Sequence, residues 1–324
     1  MAGGQERILR RRIKSIDATK KITRAMELIA ASRIVKAMGR VQAAKPYSEK
    51  VTAVIANLAA GGAALDHPLL VQPESVSKVA YVVITADRGL CGGYNSNVLR
   101  SVERAIIAGQ GRGEDYELIL SGKKAAAYFR FRGFRITTAT EGYSDQPSYE
   151  DARTLAVAAT ELFESGEVQK VILAYTEFLS VGSQEVQHAT FMPLDTSEIG
   201  DETDDAGDAG GAGASGGYEY EPEPAGILAR LLPRYAEARL FAAMLESSAS
   251  EHAARQRAMK AATDNAEDLK TTLTRIMNRA RQDSITTEIM EIISGSEALA
   301  QGGDLISDDL LSDTIEARTA DLFS

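Results

Sequence analysis

The sequence predicts a fold of mixed α+β and α/β class: a long antiparallel coiled coil of N- and C-terminal helices plus a central Rossmann-like α/β domain. Three observations carry the prediction. From residue 6 to residue 45 there is no proline and one glycine, Gly39, and no proline follows Pro233, so both ends have helix chemistry over lengths well beyond the globular mean of ~11 residues. Between residues 78 and 194, short β-branched runs alternate with amphipathic stretches, the pattern of an α/β sheet. Near the C-terminal end, Met259, Ala262, Ala266, Leu269, Leu273, Ile276 and Ala280 recur at alternating gaps of three and four, a heptad seam.

The first element is a coiled-coil helix over 1–60. Its apolar residues fall as Leu9, Ile13 and Ile16, then Ile22, Met26 and Ile29, each trio at helical spacing with a shift of phase between them. Forty residues at ~1.5 Å each make a rod of roughly 60 Å, which needs a partner along its length. Pro46 marks a kink or stop, and the pattern resumes with Val51, Val54, Ile55 and Leu58.

The α/β domain spans 76–195. A continuous apolar run over 78–85 reads as a strand buried on both faces. A helix over 95–109, a strand over 116–121, a helix over 123–131 and a strand over 135–139 follow. Ser148 with Asp151 three residues on has the form of a capping box and opens another helix. Strands over 170–178 and 186–194 close the domain. Residues 196–223 form an acidic, glycine-rich loop and foot segment, with low-complexity sequence over 200–217 that cannot build a core.

The C-terminal helix covers 224–299. Upstream, its heptad register passes Ala238, Phe241, Leu245, Ser248, His252 and Arg255, so the stripe turns polar in its middle. Two long helices with narrow apolar stripes satisfy each other as an antiparallel coiled coil. The alternative, two amphipathic helices lying on a globular core, calls for a broader stripe. Residues 300–324 are an acidic extension in which Leu305, Ile306, Leu310, Leu311 and Ile315 stand at partly helical spacing.

Composition removes several functions. The 324 residues are 44% hydrophobic, enough for a sizeable core. The one cysteine, Cys91, excludes an intrachain disulfide and a cysteine-based zinc site. No apolar run approaches the ~20 residues that span a bilayer, and the basic start has no apolar segment of a secretion signal, so an intracellular chain without transmembrane insertion is expected. The net charge of −10 is uneven, with 13 Lys/Arg against four Asp/Glu in residues 1–50. That basic head suits an acidic partner, whether nucleic acid, lipid or protein.

The turn Asp87-Arg88-Gly89-Leu90-Cys91-Gly92-Gly93-Tyr94-Asn95 sits after a strand and opens a helix, where a phosphate loop would stand. Its glycines match neither the dinucleotide nor the P-loop frame, so it reads as a structural turn and Cys91 as a buried or idle thiol. His67, His188 and His252 are too scattered for a metal cluster. The acidic run 201–205 lacks the calcium-loop frame. The basic helix from Arg7 to Arg24 carries Ile8, Ile13 and Ile16 among its charges and lacks aromatic interleaving, so nucleic acid is not the expected partner.

These residues resemble a known family, the gamma subunit of the F1 sector of ATP synthase. The stretch Ile22-Thr23-Arg24-Ala25-Met26-Glu27-Leu28-Ile29-Ala30-Ala31-Ser32-Arg33 is similar to its first-helix motif, and the Asp87–Asn95 turn to its central-domain turn. Tyr218-Glu219-Tyr220-Glu221-Pro222 resembles the segment leading into the last helix. Residues 258–266 (AMKAATDNA) and 285–292 (ITTEIMEI) resemble the C-terminal signature. The four motifs are collinear over nearly the whole chain.

The resemblance implies a non-catalytic rotor stalk. Its coiled coil would turn inside the alpha3beta3 ring of alpha and beta subunits, and its α/β domain would rest on the membrane c-ring beside the epsilon subunit. Rotation of the c-ring by proton flow would drive the beta sites in sequence through states of different affinity. It implies no catalytic residue, cofactor or metal, and a peripheral place on the cytoplasmic side of the cell membrane.

By position, Met26 and Arg255 would lie near the beta lever. Gln282, Thr286 and Glu288 would be rotor–stator and coupling contacts, and Tyr218, Tyr220 and Glu221 the c-ring and epsilon foot. From the residues alone, helix packing and solvation explain the same positions. The chain departs from the family pattern at Gly295-Ser296-Glu297 and in running past Leu299, and it has no inserted cysteine pair in its central domain. The extension is expected to meet a stator surface. Two other functions stay open on the residues alone: an α/β enzyme with helical appendages, and a basic-helix nucleic-acid binder.

Overall fold

The computed structural model describes residues 2–60, 67–194 and 224–320. In chain order these give helix α1 (Ala2–Ala60), a single 3-10 turn (Pro68–Leu70), strand β1 (Lys78–Ile84), helix α2 (Tyr94–Gly111), strand β2 (Asp115–Ser121), helix α3 (Lys123–Phe131), strand β3 (Thr138–Thr140), helix α4 (Tyr149–Glu164), strands β4 (Lys170–Phe178) and β5 (Gln184–Met192), and helix α5 (Pro224–Ala320). Within the described residues no helix is long and apolar enough to cross a membrane.

The chain divides into two compact units, residues 24–261 and residues 1–23 with 262–324. In the first, the sheet order is β3-β2-β1-β4-β5, with β1 parallel to β2 and β4, β2 parallel to β3, and β5 antiparallel to β4. The continuous apolar run of β1 is explained by burial on both faces. Side chains alternate across a strand, so Val79, Tyr81 and Val83 join Val98 and Val102 of α2 and Phe129 of α3, while Ala80, Val82 and Ile84 join Leu155 of α4 and Leu232 and Leu240 of α5. Val51 and Ile55 of α1 enter the second of these cores.

Local chemistry sets the element ends. Ser148 and Asp151 form the capping box at the start of α4: Asp151 N donates to Ser148 Oγ (3.2 Å) and Ser148 N to Asp151 Oδ2 (2.8 Å). Gly122 opens α3 at φ 102°, where a Cβ would stand 2.2 Å from the Thr85 carbonyl oxygen, so only glycine fits. The predicted strand over 135–139 is shorter than its apolar pattern suggested. Side chains hold its first residue instead, with Arg135 N donating to Tyr116 Oη (3.0 Å) and its guanidinium to the Tyr116 carbonyl (2.7 Å) and to Asp115. Nor does Pro46 stop α1. Proline removes one backbone donor, and the helix beyond it is held by the buried Val51 and Ile55. Helix α5 has no break at 299 and runs to Ala320.

The second unit is a pair of helical segments. Asp17 accepts from Lys270 Nζ (2.7 Å), Lys20 donates to Glu267, and Thr23 Oγ1 bonds Thr263 Oγ1 (2.8 Å). One helix ascends as the other descends, so the pairing is antiparallel. The seam differs from its sequence reading. On α1 the inward row is Leu9, Ile13, Ile16, Lys20 and Thr23 at gaps of four and three, and Ile22 faces out at 60% exposure, so no shift of phase occurs. On α5 the row runs through Thr263, Ala266, Lys270, Leu273, Thr274, Met277 and Ala280, leaving Leu269 and Ile276 exposed. The buried threonine pair and the two charge pairs need these faces together, since turning leucine inward would strand them.

Candidate functional site

The Asp87–Asn95 turn is a structural joint. It carries two left-handed residues, Leu90 (φ 62°) and Gly92 (φ 59°), the first an unusual conformation for leucine that a surrounding framework must hold. Asp87 supplies that framework on one side. Its Oδ1 accepts from Lys123 N (3.0 Å), and its Oδ2 from Gly142 N (3.0 Å) and Ser144 Oγ (3.1 Å). Burial pushes this carboxyl up, but the backbone donors of Gly142, Lys123 and Ser144 outweigh it and hold the group below the usual range. Asn95 Oδ1 accepts from Ala86 N (2.9 Å), and its Nδ2 donates to Cys91 Sγ (3.1 Å). Cys91 is buried, and burial raises its thiol, which leaves it inert as a nucleophile.

On its other side the turn packs on α5. Ala86, Cys91 and Tyr94 enclose Ala254, and Tyr94 Oη donates to the Ser247 carbonyl (3.1 Å). Arg255 Nη2 donates to Glu251 Oε1 (2.7 Å) and to the Gly89 carbonyl (3.4 Å). The Arg255 side chain is only 11% exposed, so within this chain it fastens the turn to the helix. Met26 is half-buried. Beside it on α1, Glu27, Ala30, Ile34 and Ala37 face inward, while Leu28, Ile29 and Val35 are exposed.

Around the same stretch of α5 lies a buried polar group that sequence reading did not single out. His252 Nε2 stands 3.5 Å from Asp145 Oδ1, Asp145 is paired with Arg33 of α1, and Ser248 Oγ donates to the Asp145 carbonyl (3.2 Å). Burial lowers the imidazole to about 4, against the pull of Asp145, so it is neutral at pH 7. Glu251 is raised by burial, with Arg255 opposing. Glu246 is raised to about 7 by burial and by Glu177, and its Oε2 has no hydrogen-bond partner among the described residues. The signal available in the sequence was the polar interruption of the heptad stripe at Ser248, His252 and Arg255. Glu246 and Asp145 gave none.

In the helical unit, Gln282, Thr286 and Glu288 stand on exposed helix. Thr286 Oγ1 donates to the Gln282 carbonyl (3.0 Å), and Ser284 Oγ lies 3.4 Å from Glu288 Oε1, both within the helix itself. Ile285, Ile289, Met290, Ile292 and Ile293 are exposed beside them. Tyr218, Tyr220 and Glu221 lie outside the described residues, so the foot has no geometry here. Among the described residues no group of three or more His, Cys, Asp or Glu side chains could hold a metal.

The family model described as ATP synthase matches residues 5–299. The ATP synthase gamma chain of Frankia casuarinae is 49% identical over 303 residues, covering 92% of this chain and 99% of the relative. That of Kineococcus radiotolerans is 43% identical, covering 93% and 98%. Among solved structures, a chain of the Euglena gracilis mitochondrial ATP synthase, in its assembly of OSCP, F1 and c-ring, matches with a TM-score of 0.65 at 19% identity, covering 93% of this chain and 96% of that one. A chain of the Tetrahymena thermophila mitochondrial ATP synthase central stalk and c-ring matches with a TM-score of 0.57 at 23% identity, covering 74% and 99%. The last two show the shared fold, and the extent and identity of the curated matches show the rest: this chain belongs to the ATP synthase gamma chain family.

Proposed function

We infer that this chain is the central rotor stalk of a proton-translocating F-type ATP synthase, that it turns inside an alpha3beta3 ring, and that its foot, with Tyr218, Tyr220 and Glu221, meets epsilon and the c-ring. It carries no active site of its own. Catalysis belongs to beta, and the whole assembly holds this chain at the cytoplasmic side of the cell membrane as a peripheral subunit.

The observation that carries this reading is the C-terminal stretch of α5 over 285–293. Five large apolar side chains, Ile285, Ile289, Met290, Ile292 and Ile293, are 46–71% exposed on it. Scattered apolar residues on a surface need no explanation, but a cluster on one helix does, and an enclosing protein sleeve supplies burial that the described residues of this chain do not. The mechanism is then differential contact. A rod with unlike faces touches each beta subunit differently at each angle, and a partner shifts an equilibrium only by binding its states unequally. Gln282, Thr286 and Glu288 would make the polar part of those contacts. Met26 and Arg255 would lie near the beta lever, with Arg255 also bonded to Glu251 (2.7 Å).

The test mixes the chain with alpha and beta subunits. A multisubunit ATPase should form only when this chain is present, and Ile289→Asp with Ile293→Asp should lower its yield or activity at least tenfold. Full ATPase assembly without the chain, or an unaffected double variant, would remove the reading.

A further inference from the structure

In open parallel sheets, ligands bind outside the carboxyl ends of the strands, where the strand order reverses. Here that place lies between β1 and β4. The crossover from β1 leads through α2 to β2 on one side, and the chain returns through α4 to β4 on the other. A nucleotide-binding domain of this type leaves the crevice open. In this protein α5 fills it.

Ser247 sits at the centre. Its carbonyl accepts from Tyr94 Oη in the turn after β1, and its Oγ accepts from Thr176 N near the end of β4 (3.4 Å). Ile84 at the end of β1, Thr85 just after it and Ser121 of β2 close on Met244, Ser247 and Ser248, and the gap between them admits no water molecule. Two further turns of α5 continue the contact on one face. Ala254 packs under Cys91, Arg255 reaches the Gly89 carbonyl, and Ala258 lies 3.7 Å from where a Cβ on Gly92 would stand. A second flank is held by Asp145, which receives Ser248 Oγ and pairs with Arg33 of α1. Asp87 ties the two flanks together through Gly142 and Ser144.

The geometry points to a torque grip: the α/β domain uses its switch-point crevice to hold its own C-terminal helix, and Tyr94, Ser247 and Ser248 are positioning residues for rotary coupling. This deepens the rotor reading and rests on it. A helix held by one face rolls under a twisting load, because side-chain contacts on one side resist rotation weakly. Held on two flanks, with hydrogen bonds off its axis, it must turn with the domain. The left-handed Leu90 fits this role, since a strained turn persists where its surroundings over-determine it.

The experiment uses the full chain carrying Tyr94→Phe, Ser247→Ala and Ser248→Ala together, each change removing one hydroxyl and no apolar contact. Amide hydrogen exchange over 244–258 reports the grip itself, and a rise of at least tenfold is expected. In the assembled complex in sealed vesicles, the ATP hydrolysis rate should stay within twofold of wild type. Proton uptake per ATP against an opposing gradient should fall at least twofold. A wild-type pumping ratio despite faster exchange would overturn the proposal, and so would unchanged exchange, because the three bonds would then not hold the helix. Ser247→Ala alone provides the same pair of measurements should the triple variant fail to assemble. Failure of the wild-type chain to assemble with alpha and beta would instead strike the rotor reading.

Discussion

Replacing Glu246 by glutamine should leave stability nearly unchanged at pH 4.5 and raise it progressively as pH increases toward 8. Burial and the nearby Glu177 raise this carboxyl from 4.5 to about 7, and its Oε2 finds no donor among the described residues. Glu177 is itself an acceptor, its Oε2 taking a hydrogen bond from Gln187 Nε2 (2.7 Å), and so acts on Glu246 only as a like charge. The folded state therefore binds the proton more tightly than the unfolded chain does. Below pH 4.5 both states are protonated and the group costs nothing. Between 4.5 and about 7 the unfolded chain releases its proton first, and stability falls as pH rises. Above about 7 the full cost is present.

A tenfold change in proton affinity corresponds to ~1.4 kcal/mol, so a rise from 4.5 to about 7 gives a total of about 3 kcal/mol. Glutamine keeps the shape of the neutral acid and does not titrate. Urea unfolding of wild type and Glu246→Gln, followed by far-UV circular dichroism from pH 4.5 to 8, should show near equality at the acid end. The gap should widen to about 3 kcal/mol in favour of glutamine at pH 8. The chain has no tryptophan, so a helix signal is the better probe. A difference that stays constant across the range would refute the reasoning, because a packing effect has no such pH dependence.

His252 should give the opposite sign. Its folded value of about 4 lies below the ordinary 6.5, so its contribution is complete above 6.5 and is lost as pH falls toward 4, and His252→Gln should flatten the acid side of the same urea series. Gly122→Ala should be severe. A methyl group 2.2 Å from the Thr85 carbonyl at φ 102° must displace backbone, and the loss should exceed ~3 kcal/mol, read as a large fall in thermal midpoint or as insoluble protein.

Much of this architecture was legible beforehand. The two long helices, the capping box at Ser148, the doubly buried β1 and the inert turn at Cys91 all follow from local rules: proline placement, side-chain reach, apolar periodicity and glycine conformation. The seam was legible only in its spacing. A repeat of three and four fits neighbouring faces of a helix almost equally, and the choice between Leu269 and Lys270 belongs to the partner, where Asp17 waits for a charge. Arg255 illustrates the same division. Its position in the stripe was plain, but its bonds to Glu251 and Gly89 join residues as far as 166 apart in sequence.

The sequence by itself determined the family, the helical ends and the α/β middle, because propensity and periodicity act over a few residues and four collinear motifs span the chain. Only the tertiary structure decided which helix face turns inward, why Glu246 and His252 depart from ordinary titration, and that α5 occupies the crevice beside β1. Those outcomes depend on burial and on partners from distant segments, and a distance between two side chains exists only once the backbone has brought them together.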